Sequence, residues 1–118
     1  MSEPSAVVAL IDRFIDAWKR EDLDAVTACL ADDVVYCDTG RKGVANTYRG
    51  REQVSQAFAG NLGDDSALTL GPVIAVDDRA ISEWEWKNAE DGTTLRGVDV
   101  YTVRDGKITA KDVFGKLV

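Results

Sequence analysis

Apolar residues recur at three- and four-residue steps near the start of the chain. Val7, Leu10, Ile11, Phe14, Ile15 and Trp18 mark one stripe, and Asp12, Arg13, Asp16, Lys19 and Arg20 fill the other side. This spacing predicts an amphipathic helix, capped by Ser5 or Ser2 with Pro4 in its first turn. A second, shorter helix is expected behind the cap Asp22, with Leu23, Val26, Cys29 and Leu30 as its stripe and Asp32-Asp33 as its end. The period then falls to two. Val34 to Asp38 reads as a strand with Val34, Tyr36 and Asp38 on one face and Val35 and Cys37 on the other. The polar stretch from Gly40 to Gly50 reads as an irregular hairpin or loop. Gln53, Val54, Ala57, Phe58 and Leu62 predict a third helix, closed between Gly60 and Asp65.

After Ser66 the pattern is one of strands: Ala67 to Val76, Ala80 to Asn88, Thr94 to Arg104 and Lys107 to Lys116. Asp77-Asp78, Glu90-Asp91-Gly92 and Asp105-Gly106 between them suit tight hairpin turns. Helices followed by a meander predict an α+β domain, with a strongly curved antiparallel sheet wrapped around three N-terminal helices. Such an arrangement can leave an apolar cavity at its mouth. With 118 residues there is room for one domain, spanning 1–118.

Charge narrows the partners. Fourteen basic against 21 acidic residues give a net charge of −7, which argues against nucleic acid and against an anionic membrane surface. The chain has no histidine, so Ser-His-Asp and Cys-His catalysis and histidine metal sites are excluded. Cys29 and Cys37 are too few and wrongly spaced for a thiolate metal centre and read as free buried thiols, with a single disulfide as the alternative. No metal or organic cofactor is implied. The N-terminus lacks a signal-like apolar core and no apolar run approaches membrane length, so a cytoplasmic location is expected.

Any proton chemistry then falls to Asp, Glu, Tyr, Lys or Cys. Asp38 closes a strand on the face of Val34 and Tyr36, where it either enters the interior or starts a turn. Asp99 lies inside the apolar run Val98-Asp99-Val100-Tyr101, on the face of Leu95, Tyr101 and Val103, and alternation alone leaves its direction open. Trp84 and Trp86 share a face with Ser82. Glu83, Glu85, Lys87, Arg104, Lys107 and Lys111 read as a solvated sheet surface or a dimer rim, and Arg41-Lys42 as a loop pair. By alternation with Ile108, Ala110 and Phe114, Asp112 is a further cavity candidate.

The order and spacing of Ala6-Val7-Val8, Arg13-Phe14, Asp22-Leu23-Asp24, Ala31-Asp32-Asp33, Asp38, Gly50, Asn61-Leu62, Val98-Asp99 and Phe114-Gly115 carry a resemblance that spans nearly the whole chain. It resembles the ketosteroid isomerase branch of the nuclear-transport-factor-two-like superfamily, which also holds polyketide cyclases of the SnoaL type. The resemblance implies a cone-shaped fold with a hydrophobic cavity, commonly in a homodimer. It implies that Asp38 is the general base, removing a proton alpha to a carbonyl, and that Asp99 stabilises the resulting oxyanion. Phe14, Trp18, Tyr36, Phe58, Trp84, Trp86, Tyr101 and Phe114 would line the pocket around a small apolar carbonyl compound.

Two positions depart from the family. Phe14 stands where the family carries its oxyanion-hole tyrosine, and Phe58 where a supporting tyrosine is expected. Loss of one such donor costs about 2.7–4 kcal/mol in the transition state, so another donor must substitute or the chemistry must differ. Tyr36, Tyr101 and Trp18 are the candidate substitutes. The expectations are therefore an isomerase or lyase, a SnoaL-type cyclase using the same residues, or a non-catalytic ligand-binding or dimerisation module. Histidine-dependent dehydration of the scytalone type is excluded. Arg96 and Asp99, three apart, also fail the two-residue spacing of limonene epoxide hydrolases.

Overall fold

The computed structural model describes residues 4–39, 44–62 and 68–118. Ser2, the Arg41-Lys42 pair and Ala67 lie outside them. Helix α1 (Pro4–Lys19) buries Val7, Leu10, Ile11, Phe14 and Ala17, the expected stripe with Ala17 added. It begins at Pro4, so Ser5 sits within its first turn instead of capping it. Helix α2 (Leu23–Ala28) is capped by Asp22, which accepts the Ala25 N–H at 3.1 Å. It stops at Ala28, and strand β1 (Leu30–Cys37) starts earlier than the pattern suggested. Asp32 and Asp33 form an exposed irregularity within that strand. Helix α3 (Arg51–Ala59) follows a three-residue strand β2 (Thr47–Arg49) and buries Val54 and Phe58.

The four later strands, β3 (Leu68–Val76), β4 (Arg79–Lys87), β5 (Thr94–Arg104) and β6 (Lys107–Leu117), fall within a residue or two of their expected limits. Asp77 and the pair Asp105-Gly106 adopt positive φ at the tight turns. The sheet runs β2-β1-β6-β5-β4-β3, antiparallel throughout except that β1 lies parallel to β6. This crossover brings Tyr36 of β1 beside Lys111 of β6 in register. The sheet is curved and unclosed, and the helices pack across its inner face, where α1 meets β3 and β4 and α3 meets β1.

A bulge in β6 sets which side chains enter the cone. Val103 pairs with Ile108 and Thr102 with Ala110, so β6 spends two residues where β5 spends one. The extra residue reverses the alternation. Ile108 is buried on one side of the bulge and Lys111 on the other, while Phe114 is 55% exposed. Lys111 is thus an interior residue and not part of a solvated rim, and Asp112 lies outside the residues that line the cavity.

Candidate active site

Between α1 and the inner faces of β4, β5 and β6 lies a cavity of about 270 Å³. Phe14, Trp18, Tyr36, Trp84, Trp86 and Tyr101 line it, with Ser82, Asp99 and Lys111 as its main polar groups. Phe58 is fully buried just behind this wall and packs on Phe14 at 5.9 Å, Trp18 at 5.2 Å and Tyr36 at 4.8 Å between ring centroids. It supports the lining without joining it. Phe114 is displaced by the bulge and belongs to a cleft on the outer face of the sheet, so the expectation that it lines the pocket is corrected.

Asp99 is the hub of the polar end. Its Oδ1 accepts the Trp84 indole N–H at 3.0 Å, and its Oδ2 accepts the Tyr101 hydroxyl at 3.1 Å. The Lys111 ammonium stands 3.6 Å from the same Oδ2, with the two side chains only 10% and 13% exposed. Behind Tyr101, the buried Ser82 hydroxyl donates to the Tyr101 oxygen at 3.5 Å. Burial pushes the Tyr101 hydroxyl well above its usual range, and the Asp99 charge adds to that shift. Tyr36 is raised by burial first, then by Asp38 and Asp99. Both phenols therefore stay neutral and able to donate at ordinary pH.

The Trp84 indole can reach Asp99 because nothing stands beneath it. A Cβ on Gly97 would press into the Trp84 ring and the Phe114 carbonyl, and one on Gly115 would come within 3.4 Å of the indole edge. Glycine here makes room for an aromatic platform.

Lys111 is the residue that alternation missed. Its ammonium lies 5.0 Å from the Tyr36 ring centroid, 5.3 Å from Phe58 and 5.6 Å from Trp18. Three ring faces and one carboxylate form its surroundings. A signal was available: counting by twos forward from Ile108 puts Asp112 inside, whereas counting back from Val113 puts Lys111 there. The conflict itself marks a bulge.

Asp38 is placed differently from Asp99. Its backbone N–H donates to the Asn46 carbonyl at 3.0 Å, and its carboxylate accepts the Asn46 backbone N–H at 2.7 Å and side-chain amide at 3.3 Å. These bonds tie the end of β1 to the approach to β2. Asp38 is half-buried beside Tyr36, on which its charge acts, but it is not among the cavity-lining residues. The two acids are not brought face to face across the cavity.

Both cysteines are free, and burial raises the Cys29 thiol. Among the described residues no cluster of carboxylates and thiols is arranged to hold a metal, and no helix is long and apolar enough to cross a membrane.

A protein of the same fold from Mesorhizobium loti, NTF2-like and of unknown function, superposes with a TM-score of 0.86 at 23% identity, covering 98% of this chain and 95% of that one. A Kribbella flavida protein provisionally described as a ketosteroid isomerase gives 0.78 at 22% identity, over 98% and 82%. An NTF2-like protein from Burkholderia xenovorans gives 0.74 at 19% identity, over 97% and 92%. These likenesses show the fold, the cone of the NTF2-like proteins. No curated protein matches the chain. The SnoaL-like domain family matches residues 11–111, from the middle of α1 to the buried lysine of β6, and the chain belongs to that family.

Proposed function

We propose that this protein is a small-molecule isomerase or lyase that binds a compact, largely apolar carbonyl compound in the aromatic cavity and removes a proton alpha to the carbonyl. The supporting observation is the Asp99 carboxylate, 13% exposed and set at the polar end of a wall made mostly of aromatic and aliphatic side chains. A positioned carboxylate in contact with the ligand contributes about 10²–10⁴ in rate. The family resemblance would give this step to Asp38. We assign it to Asp99, because Asp38 is engaged by Asn46 outside the lining residues.

The Ile74, Ile81 and Val100 row and the neighbouring Val98 and Phe114 put apolar side chains on the outer sheet face. A homodimer through that face completes the reading, and sedimentation checks it. Two free thiols suit a reducing compartment, here the cytoplasm.

Exchange of the alpha protons of 1-indanone in D₂O, followed by NMR, tests the chemistry. The wild-type chain accelerates exchange over buffer, Asp99→Asn lowers the rate by about 10²–10⁴, and Asp38→Asn lowers it by less than about tenfold. The reverse ranking would return the base to Asp38. No acceleration by the wild-type chain leaves the second reading, a ligand-binding module. That reading is favoured by the absence of a hydroxyl at Phe14 and by the commitment of the Trp84 and Tyr101 donors to Asp99.

A further inference from the structure

We propose that Lys111 is the group that receives the ligand's oxygen, so that the cavity selects carbonyl compounds whose oxygen is, or becomes, an enolate anion. The inference rests on the carbonyl reading above and supplies the donor that Phe14 cannot.

Burying an ammonium costs free energy unless it is paired and hydrogen-bonded. Lys111 is nine-tenths buried, yet its nearest acceptor, Asp99 Oδ2 at 3.6 Å, is too distant for an N–H···O bond. Asp99 does not depend on it, since Trp84 and Tyr101 already donate at 3.0 and 3.1 Å. Ring faces offset part of the cost of burial, but they accept no conventional hydrogen bond. The ammonium therefore faces the cavity with donors that no described residue takes up at hydrogen-bond distance. A ligand oxygen would complete its shell.

The spacing also fits one carbonyl unit. A ketone's oxygen and alpha carbon are about 2.4 Å apart, so an oxygen on Lys111 Nζ brings the alpha C–H beside Asp99. Asp99 takes the alpha proton, the C–H electron pair becomes the new C=C bond, and the C=O π pair moves onto oxygen against the ammonium. Where the ketone is β,γ-unsaturated the anion is a dienolate; returning the proton to its γ carbon, as the oxygen electron pair re-forms C=O, yields the conjugated isomer with no oxidant or reductant required. Among the described residues, Asp99 and Lys111 are the charged groups that line the cavity, and Lys111 is the cation among them.

Three probes on one ring frame test the inference by titration calorimetry: 1-indanone (neutral), 1,3-indandione at a pH where it is the enolate, and 1-aminoindane (cationic). The enolate is expected to bind at least about tenfold tighter than the ketone, as for a hydrogen bond between charged groups, and the amine weakest. Lys111→Gln and Lys111→Met bring enolate and ketone within about threefold of each other. Absorbance adds an independent readout. Where free 1,3-indandione is half ionised, wild-type protein shifts it toward the enolate and both variants do not. Equal binding of enolate and ketone by the wild-type chain, which needs no variant to fold, overturns the assignment of Lys111 and leaves the carbonyl reading standing. A preference that persists in both variants does the same. Failure of all three probes to bind removes both.

Discussion

Strands β4, β5 and β6 carry charged residues on both faces of one sheet, and the two faces treat them in opposite ways. On the outer face Glu83, Glu85, Arg96 and Lys116 surround a cleft of about 500 Å³ and all are exposed. Water screens them, and contacts between such groups are worth about 0–1 kcal/mol. On the inner face the charged groups among the described residues are Asp99 and Lys111, around a cavity of about half that size, and each is nearly enclosed by named partners. The larger concavity has more charge and more water. Exclusion of water and fixed neighbours set the inner face apart, and it has both from the aromatic side chains of α1, β1 and β4.

The contrast is broken most directly by truncating one aromatic from each side. Phe58→Ala, at a fully buried position, should cost about 3–5 kcal/mol in denaturant unfolding. Phe114→Ala should cost less than about 1 kcal/mol, and a larger loss that grows with protein concentration would report the dimer. Gly97→Ala comes next. It forces a methyl into the Trp84 ring and should cost about 1–3 kcal/mol, with a changed tryptophan fluorescence spectrum, whereas Glu85→Ala should stay within about 0.5 kcal/mol. Tyr101→Phe removes the hydroxyl between Ser82 and Asp99 and leaves the buried Ser82 without its partner, for about 1–3 kcal/mol.

The gentlest probe is alkaline titration. Tyr36 and Tyr101 hold their protons above the ordinary value of 10.0 in the folded state. The unfolded chain releases those protons first, so stability should be level below pH 10 on their account and decline above it. Tyr101→Phe should make that decline shallower; an unchanged slope would show that the phenol is not buried as described.

Much of the inner face was legible beforehand, because burial there obeys a simple period. The α1 stripe, the turns at Asp77 and Asp105-Gly106, and the shared face of Ser82, Trp84 and Trp86 all follow from spacing. Asp99 and Tyr101 sit on the inward phase of β5, as one reading of that strand allowed. Where the period slips, the reading slips with it. One extra residue near Thr109 exchanges Lys111 for Asp112 and turns Phe114 outward, and the irregularity in β1 hides its start at Leu30.

The sequence by itself determined the family, the α+β order, the aromatic wall material and the absence of histidine chemistry, since these depend on residue types and on local periodicity. Tertiary structure alone decided that Asp38 spends its carboxylate on Asn46, that Trp84 and Tyr101 converge on Asp99, and that a lysine stands among three rings. Those outcomes depend on a bulge and on a parallel crossover between β1 and β6. Both are set by the balance of packing over the whole sheet; local alternation in β6 flags a conflict there but does not resolve it.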